Sequence, residues 1–389
     1  MANLTPRLAL GEPVVVARGP RGLTRWGPWQ FPAIERLADG RLHVSFHIEA
    51  DSAKAYGLPA GHAVSSDNGK TWQSVSDVPP GGGLLLANGD RLRAVALRSH
   101  PLKDLSLPPS IATRRGSYGG TYHIYRLEDL PADLRDGWHV ARCKAGQTEW
   151  IEEVAHVELP GEIRYATEGV FTFPWFWRLR RAPDDSLWAM TYPWRAPGGV
   201  LREKWLPVLL RSTDHGYTWH MHGEIPYHGD PSADAAWDRR DGFTEPNIAF
   251  LPDGSLLCFL RTTDGNGVGP MYVTRSTDNG LTWDTARVFD DRGVWPAVAE
   301  LACGVTLVAY GRPGVFVRAT NDPRGHDWAN RVTVVEPGEL GKDSCSYTDL
   351  LVLDDRTVLL AYSDFQYPDA EGQKRKTILV RTIRVIGVE

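Results

Sequence analysis

Hydrophobic and polar residues alternate through most of the chain in short runs separated by turns, which is the pattern of β-strands. The clearest example is GFTEPNIAFLPDGSLLCFLR at residues 242–261. Two apolar runs flank a Pro-Asp-Gly turn at 252–254, whose glycine tolerates a positive φ. The pattern predicts an antiparallel hairpin, and such pairing brings the start of the first strand beside the end of the second. We therefore expect Glu245 and Arg261 to lie side by side.

A Ser-x-Asp-x-Gly-x-Thr-Trp box recurs at residues 65–72, 212–219 and 276–283, and a degraded copy lies at 320–328. In each box the Asp carboxylate can accept backbone N–H groups across a tight turn, the Gly supplies a positive φ, and the Trp anchors the next strand. The boxes lack the alternating ligands and the terminal Glu of a calcium loop. We interpret them as turns of the scaffold without a chemical role.

Six long hairpins recur along the chain together with these boxes. Their first strands are expected to begin near Gln30, Gly81, Phe173, Glu245, Trp295 and Ser346, and their second strands to end at His47, Arg98, Tyr192, Arg261, Tyr310 and Tyr362. Six four-stranded units of roughly 55 to 65 residues, two of them enlarged by loops that include 100–122, are typical of a β-propeller. The prediction is an all-β, six-bladed β-propeller that forms a single domain over residues 1–389. The strand Glu12 to Arg18 is expected to complete the last blade and to remove an exposed edge.

Charge and cysteine content narrow the classes of partner. The chain has 43 Lys and Arg against 48 Asp and Glu, a net charge of −5, which argues against nucleic acid or an anionic membrane as the main partner. The four cysteines are widely spaced and form no Cys-x-x-Cys pair, so neither a disulfide framework nor a metal site is indicated, and no cofactor is predicted. The N-terminus has no apolar run of signal-peptide length, and no segment is apolar enough to span a bilayer. We expect a soluble cytoplasmic protein, or a secreted one if a leader has been removed.

The boxes and the six-unit pattern resemble the sialidase (neuraminidase) superfamily, whose repeats carry Asp boxes, over essentially the whole chain. The resemblance implies a site on the propeller axis with a Tyr nucleophile paired with a Glu, an Asp acid/base, and three arginines that clamp a substrate carboxylate. Glu245 in Thr-Glu-Pro-Asn matches the glutamate, and Tyr347 in Ser-Tyr-Thr-Asp-Leu matches the tyrosine. Asp51 is the best counterpart of the acid/base, and Glu49 is the next candidate.

The clamp is only partly preserved. Arg261 and Arg312 match the second and third arginines, but the first hairpin carries Gln30-Phe31-Pro32 where the family has Arg-Ile-Pro. A glutamine can donate a hydrogen bond but brings no charge, so a carboxylate substrate would lose roughly 1–2 kcal/mol, or about tenfold in binding. We therefore expect an acidic or atypical sugar other than ordinary sialic acid.

Other residues are weaker candidates for binding the sugar. His47 is expected to face the axis, as an acid/base, as a sugar ligand or as a hydrogen-bonded structural histidine. Arg98, and Arg195 after Trp194, end the corresponding strands of the second and third units and are candidates to replace the missing clamp. A tryptophan at the rim can stack on a sugar ring.

The predicted function is that of an exo-acting, retaining glycoside hydrolase with a carbohydrate substrate. One alternative is a polysaccharide lyase or rhamnosidase-type enzyme, in which His47 and a Tyr handle protons. Another is a non-catalytic glycan-binding propeller, against which the Glu–Tyr pair argues. Structural interpretations also stay open: an ion pair for Glu245 with Arg261, packing for Tyr347, and a solvated loop residue for Asp51. The sugar, the linkage and the oligomeric state are not predicted.

Overall fold

The computed structural model describes residues 5–95, 97–116, 120–265 and 268–388. Within these ranges the regular structure is almost entirely β. The strands in chain order are β1 Pro6–Leu10, β2 Val14–Arg18, β3 Gln30–Arg36, β4 Leu42–His47, β5 Ala60–Ser65, β6 Gln73–Val75, β7 Leu84–Leu85, β8 Arg91–Ala94, β9 Ser99–Pro101, β10 Ala112–Arg115, β11 Thr121–Arg126, β12 His139–Cys143, β13 Ile151–Val154, β14 His156–Glu158, β15 Ile163–Thr167, β16 Val170–Thr172, β17 Trp177–Arg181, β18 Leu187–Thr191, β19 Val208–Ser212, β20 Thr218–Glu224, β21 Phe243–Phe250, β22 Leu256–Thr262, β23 Met271–Ser276, β24 Arg287–Asp290, β25 Val294–Glu300, β26 Thr306–Gly311, β27 Val315–Thr320, β28 Val332–Val335, β29 Asp349–Asp354, β30 Thr357–Pro368 and β31 Lys374–Val388. The helices are one α-helical turn, α1 Ala132–Arg135, and 3-10 turns at Ala53–Ala55, Leu102–Asp104, Leu127–Asp129, Pro197–Gly199 and Trp237–Arg239. None of these described helices has the length and apolarity that a bilayer crossing requires.

The strands form several separate sheets, most of them with four strands. Three sheets keep the chain order β3–β6, β21–β24 and β25–β28, and the predicted hairpin at 242–261 is β21 and β22. A fourth has the order β14-β20-β19-β18-β17, in which β14 is parallel to β20, and a fifth has the order β13-β12-β8-β7. Apolar faces of neighbouring sheets pack together, as in the buried cluster that includes Leu307, Val317, Leu360 and Leu379. Full burial of such a side chain stabilises the fold by about 1.5–3 kcal/mol.

The two ends of the chain share one sheet. Strand β31 pairs with β30 on one side and with both β1 and β2 on the other. The predicted strand Glu12 to Arg18 is observed as Val14–Arg18 and pairs with β31, while β1 was not predicted. The count of six blades and the single domain stay predictions.

The region predicted as a long loop at 100–122 differs from expectation. It contributes three strands to an additional five-stranded sheet of order β10-β11-β15-β16-β9. Ile124 and Phe171 are buried in this sheet. The apolar residues of its strands fall in short runs between Gly- and Ser-rich segments, which is why the sequence predicts a loop here. Arg98 also differs from the prediction, because β8 ends at Ala94 and Arg98 lies just before β9.

The boxes fold as predicted into tight turns. In each box the Asp carboxylate accepts a backbone N–H from the residue four positions later. These pairs are Asp67 with Thr71, Asp214 with Thr218, Asp278 with Thr282 and, in the degraded box, Asp322 with His326. In three boxes the Trp indole N–H donates to the Gly carbonyl, as Trp219 does to Gly216 at 3.0 Å. These Gly residues have φ between 64° and 88°, which favours glycine.

A β-bulge with the same geometry begins the first strand of three sheets. Phe31, Glu245 and Trp295 have φ of 55°, 47° and 47°, each precedes a proline, and each lies where the strand register shifts. A bulge re-aims the side chain of its extra residue, and a left-handed non-glycine residue costs about 1–3 kcal/mol. All three side chains contact Tyr347, so the bulges build the surroundings of this tyrosine.

Candidate active site

Glu245, Arg261 and Tyr347 form one hydrogen-bonded group. Glu245 lies at the bulge that opens β21, and Arg261 lies near the end of the paired strand β22. The Arg261 guanidinium donates to Glu245 Oε1 in an ion pair, as the antiparallel register predicts. Tyr347 lies just before β29, and its hydroxyl donates to the same Glu245 oxygen. Arg261 Nη1 also donates to the Tyr347 hydroxyl oxygen at 3.0 Å.

The environment of Tyr347 disfavours its ionised form. Burial raises the pKa of Tyr347 well above its usual value, and the Glu245 charge raises it further, while the charges of Arg261 and Arg312 act in the opposite direction. The phenol is therefore neutral at physiological pH. Its proton already points at a carboxylate, and two guanidinium groups lie close enough to stabilise negative charge on its oxygen.

Aromatic rings hold the tyrosine from two sides. The Phe31 ring meets it edge-on with centroids 4.7 Å apart, and the Trp295 ring stacks on it at 4.4 Å. The Trp295 backbone N–H donates to Glu245 Oε2 at 2.8 Å. Both members of the Glu245–Tyr347 pair are thus oriented by Trp295.

Arg312 lies against the same tyrosine. Its guanidinium carbon is 5.2 Å from the ring centroid of Tyr347 and 5.2 Å from that of Trp26, a cation–π arrangement on both. Arg312 Nη2 donates to the Cys345 carbonyl at 2.8 Å, and the residue is only 8% exposed. Among the residues that the structure describes, no carboxylate lies within ion-pair distance of Arg312.

Asp51 and His47 line a neighbouring cavity of about 250 Å³, together with Glu49 and Tyr56. The Trp26 indole N–H donates to Asp51 Oδ2 at 2.8 Å, and Asp51 is exposed to solvent. Loss of hydration in this cavity lowers the pKa of His47, and the Asp51 charge partly opposes that shift. His47 is therefore neutral at physiological pH.

The cavity that contains Asp51 is joined to the tyrosine by aromatic contacts. The Phe31 ring lies 4.9 Å from the His47 ring and 6.0 Å from the Trp26 ring, and it also packs on Tyr347. The structure therefore brings Asp51 and His47 into the neighbourhood of the Glu245–Tyr347 pair.

Gln30 is placed differently from the other predicted clamp residues. The residue is 0% exposed, and with its amide oriented to satisfy its neighbours, Oε1 accepts from Lys376 Nζ at 2.8 Å and from the Gly27 N–H at 3.2 Å. The structure does not bring the Gln30 amide to Tyr347. The adjacent residue Phe31 makes that contact.

Arg98, Arg195 and Trp194 have other described partners. Arg98 donates to Glu152, and Arg195 Nη2 donates to Glu224 at 2.6 Å. The Trp194 indole stacks on another indole at 4.3 Å and is buried. None of the contacts described for these three residues joins them to the Glu245–Tyr347 pair.

Four residues near the site were not among the predicted site residues: Trp26, Phe31, Trp295 and Lys376. Phe31 and Trp295 carry a signal in the sequence, since each precedes a proline at a predicted hairpin start, as Glu245 does. Trp26 and Lys376 have no such signal, because neither precedes a proline at a predicted hairpin start. Burial raises the pKa of Tyr192 well above its usual value and the charge of Glu245 raises it further, which places a second tyrosine near the pair.

The group can transfer a proton from a phenol to a carboxylate beside two guanidinium groups. This is the chemistry of an activated tyrosine nucleophile or of a tyrosine acid/base. In the described ranges no three His, Cys, Asp or Glu side chains are grouped as a metal site requires.

No protein-family model matches the chain, and no curated protein matches it. Solved structures do match. A protein of unknown function from Dyadobacter fermentans DSM 18053 superimposes with a TM-score of 0.63 at 18% identity, covering 97% of this chain and 99% of that one. The α-L-arabinanase of Penicillium chrysogenum complexed with arabinobiose has a TM-score of 0.51 at 16% identity, covering 98% of this chain and 100% of that one. The NanB sialidase of Streptococcus pneumoniae has a TM-score of 0.50 at 13% identity, covering 96% of this chain and 70% of that one. Similarity at these identities establishes the fold alone, which is a sialidase-like β-propeller.

Proposed function

We propose that this protein is an exo-acting, retaining glycoside hydrolase whose substrate is a glycan with a terminal acidic or otherwise atypical sugar. Tyr347 is the nucleophile, Glu245 accepts its proton, and Asp51 is the acid/base. The site lies on the axis of a propeller with six blades that form one domain.

The observation that carries this proposal is the hydrogen bond from the Tyr347 hydroxyl to Glu245 Oε1. A phenol is a weak nucleophile at neutral pH unless a neighbouring base takes its proton as it attacks. When the phenol oxygen bonds to the anomeric carbon, its proton passes to Glu245. The Arg261 donor, 3.0 Å from the same oxygen, stabilises the negative charge that develops as the proton leaves.

Asp51 completes the reaction at the leaving group. It gives a proton to the glycosidic oxygen as the bond to the anomeric carbon breaks, and a glycosyl-tyrosine forms. Asp51 then takes a proton from a water molecule that attacks the same carbon, and Glu245 returns its proton to the tyrosine oxygen. Two displacements at one carbon retain its configuration. The Trp26 donor at 2.8 Å supports this role because it orients the carboxyl of Asp51.

An acidic sugar is supported by the charges around the pair. Glu245 neutralises Arg261 directly, whereas the described partner of Arg312 is a neutral carbonyl. The arabinanase and the sialidase with the same fold agree with a carbohydrate substrate, although they do not bear on which sugar this protein takes.

The test is a panel of aryl glycosides of neutral and acidic sugars, with Tyr347→Phe as the inactive control. We expect release of the aryl group by the parent, a product with retained anomeric configuration by NMR, and mass-spectrometric labelling of Tyr347 by a fluorinated sugar of the accepted class. An inverted product would overturn the mechanism. Oligosaccharide cleavage that yields an unsaturated, ultraviolet-absorbing uronate would establish a lyase instead.

A further inference from the structure

The segment that follows Asp51 is bound by the additional five-stranded sheet. Glu168, between β15 and β16, accepts the Ser52 hydroxyl at Oε2 and the Ala53 backbone N–H at the same oxygen, 3.0 Å away. On β9 of this sheet, the Ser99 hydroxyl donates to the Ala53 carbonyl at 2.9 Å. One sheet therefore binds both polar groups of the Ala53 backbone and the side chain that comes directly after Asp51.

The additional sheet provides the hydrogen bonds that attach this segment to the protein. Among the described residues, every hydrogen bond that joins residues 52–58 to another part of the chain involves Glu168 or Ser99. The others close turns within the segment, as from the Ala55 N–H to the Ser52 carbonyl at 2.9 Å. Ala53 is buried, and β9 and β16 both pack against its turn. Without these contacts the segment would be held mainly by its own turns.

The turn that presents Glu168 has an unusual residue at its first position. Glu168 and Gly169 connect β15 to β16 as a two-residue turn with φ of 53° and 80°. Positive φ at both positions matches a type I′ turn, in which Asn, Asp or Gly is usual at the first position. A glutamate is unfavourable there for the turn itself. Its carboxylate, although on an exposed residue, is bound to Ser52 and Ala53, which gives a reason for this residue type.

Residues 26 and 27 make the contacts of Asp51 itself. The Trp26 indole N–H binds the Asp51 carboxyl. A Cβ on Gly27 would lie 2.4 Å from the Asp51 backbone nitrogen, so the two backbones are in close contact. The indole restrains only the end of the Asp51 side chain. The direction from which that side chain approaches depends on the backbone that follows, which Glu168 and Ser99 hold.

Tyr56 lies near both carboxylates. Burial raises the pKa of Tyr56, and the charges of Asp51 and Glu168 raise it further. Tyr56 and Asp51 line the same cavity of about 250 Å³. Glu168 is therefore close to the cavity that contains the proposed acid/base.

We propose that Glu168 is a positioning residue for Asp51, and that the additional sheet keeps the acid/base in reach of the glycosidic oxygen. The inference rests on the proposed function, in which Asp51 protonates the leaving group. General acid catalysis contributes about 10²–10⁴ in rate and requires the acid within hydrogen-bonding distance of the atom that it protonates. A displacement of about 1 Å can cost roughly a hundredfold. Loss of the contacts at Ser52 and Ala53 should therefore be detected as loss of acid catalysis.

The experiment compares two leaving groups on one sugar. The probes are the phenyl and 2,4-dinitrophenyl glycosides of the sugar that the aryl glycoside panel shows to be cleaved fastest. Phenol is a poor leaving group that needs a proton, whereas dinitrophenol leaves as the anion. Glu168→Ala should lower kcat/KM for the phenyl glycoside about tenfold or more, and for the dinitrophenyl glycoside by less than about threefold. A residue needed only for folding or sugar binding would affect both substrates equally.

Two further variants serve as controls. Glu168→Gln keeps the length of the side chain and an oxygen that can accept from Ser52 and Ala53, so it should retain most of the activity on the phenyl glycoside. Glu128→Ala removes an exposed glutamate that follows β11 of the same sheet. Both of its kcat/KM values should equal those of the parent.

A double-mutant cycle with Asp51 tests whether Glu168 acts through the acid. Asp51→Asn should itself slow the phenyl glycoside far more than the dinitrophenyl glycoside. In that background Glu168→Ala should have little further effect, because no acid is left to be positioned. Independent, multiplying effects of the two substitutions would contradict the inference.

Amide hydrogen exchange of residues 48–58 tests the order of the segment without any substrate. The Ala53 N–H is bound by the Glu168 carboxylate. Its exchange should accelerate about tenfold in Glu168→Ala, which is the effect of losing one hydrogen bond. It should stay at the parent rate in Glu168→Gln and Glu128→Ala.

The outcomes separate this inference from the hydrolase proposal. If Glu168→Ala leaves the exchange unchanged, slows both glycosides equally or slows neither, the inference is overturned and the hydrolase proposal stands. If Asp51→Asn itself shows no dependence on the leaving group, the acid/base role of Asp51 in the proposed function fails, and the inference fails with it. The Asp51→Asn measurement thus distinguishes the two failures.

Discussion

The indole of Trp295 lies flat on the phenol of Tyr347, with ring centroids 4.4 Å apart and an angle of 24° between the planes. On the indole, the guanidinium carbon of Arg178 lies 5.6 Å from the ring centroid, and Arg178 in turn pairs with Asp349 at 2.8 Å. The backbone N–H of Trp295 also donates to Glu245 Oε2. One residue therefore restrains both the nucleophile and the base of the proposed mechanism.

Replacing Trp295 should consequently affect turnover more than binding. An aromatic pair contributes about 0.5–1.5 kcal/mol beyond area burial, so loss of the stack in Trp295→Leu should reduce kcat by roughly two- to tenfold. Trp295→Phe keeps a ring on the tyrosine and the backbone N–H to Glu245, and it should retain most of the activity. The measurement is kcat and KM for both variants on the best substrate of the glycoside panel. Equal activity in the Leu variant and the parent would show that the stack does not position Tyr347.

Tyr347→Phe removes one hydroxyl group and leaves the ring packing in place. Because the hydroxyl is the proposed nucleophile, kcat should fall by about a hundredfold or more, which corresponds to roughly 2.7 kcal/mol or more in the activation barrier. The melting temperature should stay nearly unchanged, since Phe31 and Trp295 still contact the ring. Full activity in this variant would exclude the covalent mechanism.

Contacts that follow from strand register can be predicted from the sequence. Antiparallel pairing and a short turn place Glu245 beside Arg261, and the structure shows this ion pair. The turns of the boxes were equally predictable, because their hydrogen bonds lie within four or five residues. These features depend on local geometry alone.

The first hairpin shows why other contacts were missed. Alignment on the Arg-Ile-Pro motif places Gln30 at the arginine position, but the bulge before each proline makes Phe31 the residue that corresponds to Glu245 and Trp295. A bulge changes which residue faces inward, and alternation alone does not reveal it. Comparison of the three residues that precede these prolines would have identified Phe31.

Long-range ion pairs were beyond the sequence. Arg98 and Arg195 are candidates to replace the clamp, yet each donates to a carboxylate elsewhere in the chain, Glu152 or Glu224. Each pair joins an arginine outside the strands to a carboxylate on β13 or β20, 54 or 29 positions away, and no pattern in the sequence indicates such a pairing. The carbonyl groups that Lys376 binds are more distant still, since Arg25 and Pro28 lie about 350 positions away in sequence.

Asp214→Ala tests the structural role of the boxes. Asp214 accepts the N–H groups of Tyr217 and Thr218 at 3.1 and 2.9 Å. Loss of these acceptors should lower the free energy of unfolding by about 1–3 kcal/mol, as measured by urea denaturation. Asp136→Ala, at an exposed loop position, is the control and should have little effect. Substrate affinity of the folded Asp214 variant should equal that of the parent. A loss of activity without a loss of stability would place this box in the site.

The boxes also predict a loss of stability in acid. Hydrogen bonds from the Thr four residues later lower the pKa of Asp67 and of Asp278 from 3.8 to about 2. Because the folded-state pKa is depressed, the contribution of each carboxylate is complete above about pH 4 and is lost as the pH falls towards 2. The melting temperature of the parent should therefore fall in this interval, and less steeply in Asp67→Asn and Asp278→Asn. Identical slopes in the parent and both variants would contradict this assignment.

Arg312 provides the sharpest test of the substrate's charge. Its guanidinium lies against the rings of both Trp26 and Tyr347 while Nη2 bonds to the Cys345 carbonyl. Lysine has no planar group that can stack on two rings and also present a pair of donors to a carboxylate. Arg312→Lys should therefore weaken binding of an acidic sugar by about 1–3 kcal/mol, and weaken binding of its methyl ester much less.

The control for Arg312→Lys is Arg318→Lys. Arg318 also combines a carbonyl partner, that of Ala329 at 2.9 Å, with an aromatic face, that of Phe289, but it serves a structural contact away from the tyrosine. Its replacement should lower the melting temperature without changing the ratio of the affinities for the acidic sugar and its methyl ester. The dissociation constants of both ligands are measured for each variant. If Arg312→Lys weakens the acid and the ester equally, Arg312 does not bind a carboxylate, and the pocket is better explained as a site for a neutral sugar.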